Sequence, residues 1–197
     1  DEETAGSMFY ALKRGGKVIE GPSVRLAEIT GSCWGHMRYG ARIVETDRRF
    51  VTAQGMAFDL QKNVAVAFEV KRRITDKKGE TYSDDMITVT SNAAMSIALR
   101  NAIFKVVPFA FVKPIYEAAK AASLGKGTTM DQRRHRALDW FISKQNARAE
   151  DVLRVVGRKN VEDVGIDDLT VLQGLRTAIM DGDTTWENAL RDALGDT

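Results

Sequence analysis

The amino-acid sequence predicts an α+β fold: a helix, a three-stranded antiparallel β-meander and a long helix, followed by a small C-terminal helical bundle. Three observations predict it. Between residues 36 and 74, three strand-like segments follow one another with only short polar turns between them, which favours antiparallel pairing over crossover connections. Residues 84–107 hold no Gly or Pro and are apolar around most of a helical circumference. Beyond Gly125 the chain breaks into short helical stretches, one ended by Gly157, another started by Asp167 or Asp168 and followed by Gly182.

Taken in order, Met8–Leu12 and Val18–Ile19 are β-like, with a turn expected at 14–17. Gly21-Pro22-Ser23 opens a helix that carries VRLAEITGSCW and closes at Gly35. The strands follow at His36–Glu45, Phe50–Leu60 and Val64–Ile74, with turns at Asp47–Arg49 and Gln61–Asn63. Alternation sets Arg38, Gly40 and Arg42 against Tyr39, Ala41 and Ile43, and Glu69, Lys71 and Arg73 against Val66, Phe68 and Val70. With helices packed on one face, the opposite face carries Arg38, Arg42, Lys71 and Arg73.

The long helix, DDMITVTSNAAMSIALRNAIFKVV, ends at Pro108. Spacings of four put Thr88, Asn92, Ser96 and Arg100 in one polar stripe, continued by Asn101 and Lys105. A narrow stripe on so apolar a helix either meets solvent or lines a groove. Phe109–Val112 reads as an apolar link, and Pro114 opens a helix ending near Leu124. Residues 125–129, Gly-Lys-Gly-Thr-Thr, divide a core of residues 1–124 from a helical domain of residues 130–197. Thr129 with Gln132, and Thr184 with Glu187, have capping-box spacing.

The chain has 197 residues, 44% hydrophobic and 28% charged, the balance of a globular protein. A single cysteine, Cys33, excludes a disulfide framework and a cysteine zinc site. Two histidines on different elements give no transition-metal ligand set. No apolar run reaches membrane-spanning length. No P-loop and no G-x-S-x-G is present, so neither a P-loop ATPase nor a serine hydrolase is indicated. The chain opens on Asp1 without a signal-like segment, and a trimmed N-terminus is expected.

Net charge is +2, unevenly spread. Residues 31–125 carry 14 Lys/Arg against 9 Asp/Glu, residues 126–149 carry 6 against 2, and residues 150–197 carry 5 against 11. Such a basic body either attracts polyanions through phosphate contacts or is a solvated charged surface. The cations on one sheet face, those in the loops (Arg48, Arg49, Lys77, Lys78), and Arg100 and Lys105 on the long helix fit a groove that tracks a phosphate backbone, if sheet and helix face each other. Trp34, Tyr39 and Phe58 are either base-stacking residues or core. Arg133-Arg134-His135-Arg136 is either a second contact or a solvated helix face.

Asp59 with Glu69-Val70-Lys71 matches the D…E-x-K order of Mg²⁺-dependent nucleases. A hairpin turn at 61–63 puts Asp59 and Glu69 about five residues apart along paired strands, ~16 Å at ~3.3 Å per residue, too far to share an ion. The nuclease using Asp59, Glu69 and Lys71 stands as one alternative, and an oligomeric interaction module without DNA affinity as another.

The residues GPSVRLAE at 21–28, Trp34-Gly35, the strand end with Gly55, Ala57, Asp59 and Leu60, FEVKR at 68–72 and SNAAMSIALRNAI at 91–103 resemble phage single-strand annealing proteins. These are the RecT, Redβ and ERF recombinases, with their eukaryotic recombination-mediator relatives. The resemblance covers residues 8–124 and implies ATP-independent binding of single-stranded DNA in a bacterial cytoplasm. It implies annealing of complementary strands through a duplex intermediate in homologous recombination and repair, without cofactor, metal or catalytic residues. It further implies homo-oligomeric rings or helical filaments. By position it points to Arg38, Arg42, Lys71, Arg72, Arg73, Arg100 and Lys105 as DNA-binding residues, beside Asn92 and Ser96 of the stripe. The C-terminal helical part resembles the appendage that meets single-strand binding protein or an exonuclease.

Overall fold

The computed structural model describes residues 1–14, 17–76, 78–123 and 129–194. In chain order the elements are α1 (Glu2–Gly6), β1 (Phe9–Arg14), β2 (Lys17–Pro22), α2 (Val24–Trp34), β3 (Met37–Thr46), β4 (Phe50–Asp59), β5 (Val64–Arg73), α3 (Asp84–Val106), α4 (Phe109–Ser123), α5 (Met130–Gln145), α6 (Ala149–Val156), a 3₁₀ turn (Val161–Asp163), α7 (Ile166–Met180) and α8 (Trp186–Leu194). The α+β class, the antiparallel meander, the long helix and the C-terminal helices are as the sequence predicts.

Contacts group these elements into two compact units. A sheet unit comprises Val24–Pro114 together with Asp181–Asp183. A helical unit comprises Asp1–Ser23, Ile115–Met180 and the chain from Thr184 onward. Most of the sequence-assigned linker, like the turn at Gly15-Gly16, lies outside the described residues.

In the sheet unit β3, β4 and β5 pair antiparallel in that order, with a bulge between Ile43 and Glu45. Arg38, Phe58 and Ala65 form one cross-strand row, then Gly40, Met56 and Ala67, then Arg42, Gln54 and Glu69. The alternate rows, Tyr39-Ala57-Val66 and Ile43-Ala53-Val70, point to the other face. That second face carries α3. Ala94 and Ala98 pack on Val51 and Ala53 in one buried cluster with Ile74, and a methyl built on Gly55 would overlap the Ala98 carbonyl. Small residues on both elements bring helix and strand backbones close together. The Ser83 hydroxyl caps α3 by accepting from the Met86 N–H, and Asp84 and Asp85 complement the helix dipole in its first turn. Val107 is extended, as the residue before Pro108 must be.

In the helical unit the β1–β2 hairpin packs on α7, where a Cβ on Gly174 would lie 2.5 Å from the Ala11 nitrogen. Phe141, Trp186, Val152, Val155, Leu172 and Leu175 form its core, each contributing roughly 1.5–3 kcal/mol by burial. Three boundaries differ from expectation. A short α1 exists, capped by the Asp1 carboxylate on the Thr4 N–H at 2.7 Å. α4 starts at Phe109, so Pro114 is inside the helix, where it forgoes the bond to the Ala110 carbonyl. The last helix is capped by Thr185, whose hydroxyl accepts from the Asn188 N–H, rather than by Thr184.

Candidate nucleic-acid interface

The face of the sheet turned away from α3 is open. Alternation along β3 exposes Arg38 and Arg42, and neither has a hydrogen-bond or ion-pair partner among the described residues. Between them the row Gly40-Met56-Ala67 is low apart from Met56, whose side chain is 55% exposed. Half-buried Phe58 lies in register with Arg38. Two unpartnered guanidiniums thus flank an apolar floor with a phenyl ring, a surface suited to phosphates at its edge and bases over its centre. Glu69 is on this face too, accepting from the Gln54 amide at 3.2 Å.

Lys71 and Arg73 also point to the open face but are engaged. The Lys71 ammonium lies 4.9 Å from the Phe50 ring centre and 3.8 Å from the Asp47 carboxylate. The backbone N–H groups of Arg49 and Phe50 bind Asp47 and hold its carboxyl below the usual range. Arg73 donates to the Thr75 hydroxyl at 2.7 Å and to the Asp76 carbonyl at 2.8 Å. Arg49 stacks over Phe50 from the turn.

The long helix does not form the second wall of a groove with these cations. α3 packs on the opposite face, so its polar stripe and the Arg38–Arg42 side chains lie on different sides of the sheet. Thr88 and Asn92 are exposed and Ser96 is half-buried. Lys105 lies over the Phe68 ring on the helix side. Arg100 is buried, 9% exposed, and its guanidinium donates to the Asp183 carboxylate at 3.1 Å. Arg72, one residue out of phase with Lys71 and Arg73, points to the helix side and donates to the Asp183 backbone carbonyl at 3.4 Å. The grouping of Arg72 and Arg100 with the open-face cations is therefore corrected: both are spent on residues 181–183, which run against α3 at Ala93.

Trp34 and Tyr39 are also committed to the fold. The Trp34 indole N–H donates to the Asp59 carboxylate at 2.9 Å, with the Lys62 ammonium 4.2 Å from its ring centre and Phe111 edge-on. Tyr39 packs against Gly31 of α2 and hydrogen-bonds Ser32. The Trp34 bond, then the backbone N–H and ammonium of Lys62, lower the Asp59 carboxyl to about 2, and the Gln61 N–H also donates to it. Asp59 lies opposite Val64 on the helix-side face, whereas Glu69 lies opposite Gln54 on the open face. The two carboxylates of the D…E-x-K pattern thus point to opposite sides of the sheet. Among the described residues no group of three or more His, Cys, Asp or Glu is placed to hold a metal ion, and no helix is long and apolar enough to cross a membrane.

In the helical unit, Arg134 donates to the Val164 and Glu162 carbonyls and to Asp131, and Arg136 pairs with Glu2. His135 is exposed.

Comparison of the chain with protein-family models, with curated proteins and with solved structures finds no match. The site therefore stands on its own geometry. Of the middle strand the sequence pointed to Phe58 alone; the same alternation along Phe50–Asp59 also puts Met56 and Gln54 on the face of Arg38 and Arg42, a signal present in the pattern. The part played by Asp183 carried no such signal, because its partners are distant in sequence.

Proposed function

We propose that this chain binds single-stranded DNA on the open face of β3, β4 and β5 and anneals complementary strands without ATP. One observation carries the reading: Arg38 and Arg42 extend without protein partners among the described residues on either side of the Gly40-Met56 row, with Phe58 beside Arg38. Guanidiniums that no carboxylate neutralises favour phosphates, and the apolar surface of Met56 and Phe58 favours unpaired bases, which can be stacked without regard to sequence. The resemblance of residues 8–124 to phage annealing proteins supports the same reading. It extends it to recombination and repair in a bacterial host cytoplasm, to a ring or filament of identical subunits, and to a helical unit that meets single-strand binding protein or an exonuclease.

The test uses labelled oligonucleotides across a salt series, with and without Mg²⁺. Salt-sensitive binding and faster annealing without ATP are expected. Unchanged annealing in the presence of the protein would sink the reading. Mg²⁺-dependent cleavage would replace it with a nuclease, and no affinity at low salt with an interaction module.

A further inference from the structure

We infer that the helical unit holds a phosphate monoester between α5 and α7, in a cavity anchored by Arg176. Arg133, Arg136 and Trp140 recur at helical spacing on one face of α5, and Leu169, Gln173 and Arg176 do so on α7. These faces line a cavity of about 60 Å³, and no Asp or Glu is among the described residues around it. Arg176 is half-buried. Its guanidinium lies 5.2 Å from the Trp140 ring centre and has no hydrogen bond or ion pair among the described residues. The ring fixes the guanidinium in place but brings no negative charge to it. A charge withdrawn from water is ordinarily paired, so the arrangement is that of a site whose anion comes from outside the chain. The planar fork of an arginine matches the oxygens of a phosphate.

Size and charge select the ligand. A cavity of this volume takes the equivalent of a few waters at ~10–15 Å³ each, which is one phosphoryl group and not a whole nucleotide. A carboxylate brings a single negative charge. A phosphate monoester brings about 1.5–2 at pH 7, closer to the charge of Arg133 and Arg176 together. A phosphodiester inside a strand carries one charge and a substituent on either side, so it fits less well. The cavity adjoins a wider cleft of about 580 Å³ that shares Arg136, Gln173 and Arg176 and is lined beyond them by Glu2, Glu3 and Met180. Glu2 pairs there with Arg136 at 2.7 Å. The body of the ligand lies in this cleft, whose carboxylates accept from hydroxyl or amino groups and repel further phosphates. A monophosphate is therefore preferred to a triphosphate.

Calorimetric titration of the full chain at low salt tests the site with a deoxynucleoside monophosphate, its triphosphate, inorganic phosphate and acetate. The monophosphate should bind more tightly than the triphosphate, inorganic phosphate should compete with it, and acetate should not. Arg176→Gln should weaken the monophosphate by about tenfold, the loss of one charge-assisted contact, and Arg176→Lys, which keeps the charge without the fork, by less. A second readout needs no variant: the monophosphate should raise the urea midpoint of the wild-type chain, because it binds only the folded state. Strands with and without a 5′-phosphate distinguish the sources of the group. Tighter binding of the phosphorylated strand, lost in Arg176→Gln, makes the ligand a strand end, and equal binding of the two strands makes it a free metabolite; either upholds the site. The cavity shares no residue with the open face of the sheet, so joint replacement of Arg38 and Arg42 by Ala should leave monophosphate binding unchanged, and the two readings fail separately. No binding of the monophosphate, tighter binding of the triphosphate, competition by acetate, unchanged affinity in Arg176→Gln, or loss of affinity in the Arg38 and Arg42 double variant would each overturn the proposal.

Discussion

The guanidinium of Arg100 and the carboxylate of Asp183 lie 3.1 Å apart, with side-chain exposures of 11% and 6%. Asp183 also offers its backbone carbonyl to Arg72. A buried pair is most sensitive to loss of one member, because the other is left charged and desolvated. Asp183→Ala is expected to destabilise the protein by about 3–5 kcal/mol in urea titrations. Replacing both Arg100 and Asp183 with apolar residues should cost less than Asp183→Ala alone. An unchanged midpoint for Asp183→Ala would return Arg100 to the set of available DNA ligands.

Gly55 lies where β4 meets the backbone of α3 at Ala98. A methyl there would meet a helix carbonyl, not a flexible side chain, so helix and sheet must separate. Gly55→Ala should lower stability by about 2–3 kcal/mol, read by chemical denaturation. The same substitution at Gly40, where nothing lies within 4 Å of the added methyl, should be nearly neutral.

The elements of the meander were legible because alternation, polar turns and Pro108 are local signals. The strand pairing followed from the three-residue turn at 61–63, and with it the separation of Asp59 from Glu69. The direction of the α3 stripe was not legible. Thr88, Asn92, Ser96 and Arg100 share a helix face in the sequence, but only packing decides what that face meets. Small residues at Ala53, Gly55 and Ala57 drew α3 onto the side of the sheet away from Arg38 and Arg42. Arg72 was misgrouped because a run of three basic residues hides the two-residue period. Asp183 was invisible because its partners, Arg72 and Arg100, are 111 and 83 residues away.

If the open face holds phosphates, Arg38→Ala and Arg42→Ala should each weaken single-strand binding at low salt. Each should reduce the slope of log K against log salt by roughly 0.7, the increment for one phosphate on a single strand. Lys105→Ala, on the helix side over Phe68, should leave that slope unchanged. Fluorescence anisotropy over a salt series reads all three. Equal losses from Lys105 and Arg38 would place the strand elsewhere.

Asp59 gives the sheet unit an acid limit. Its carboxyl is lowered from 3.8 to about 2, first by the Trp34 indole N–H and then by the Lys62 backbone. A depressed folded-state value contributes stability above the unfolded pKa and loses it as pH falls through the folded one. Wild type should therefore lose stability between about pH 4 and pH 2, and Asp59→Asn should lose less over the same window. Trp34→Phe, which removes the indole donor, should lose less stability in total over that window, with the loss complete at a higher pH. Urea midpoints measured at half-unit steps would show coincident curves if the bond were absent.

Asp181 behaves in the opposite sense. Burial raises its carboxyl from 3.8 to about 6, reinforced by the Asp183 and Glu28 charges and opposed by Arg25 and Arg100. One of its carboxylate oxygens, Oδ2, is buried without a hydrogen-bond partner. A raised folded-state pKa means that the native state binds the proton more tightly than the unfolded chain. Stability is then greatest below about pH 4, falls as pH rises to about 6, and is flat above. A two-unit shift corresponds to at most ~2.7 kcal/mol, and about 1–2 kcal/mol remains after partial solvent screening. Asp181→Asn removes the ionisation. It should therefore match wild type near pH 4 and exceed it by about that amount at pH 7. Denaturation at pH 4, 5, 6 and 7 separates this from a solvated carboxylate, for which the difference between the two proteins would not change with pH.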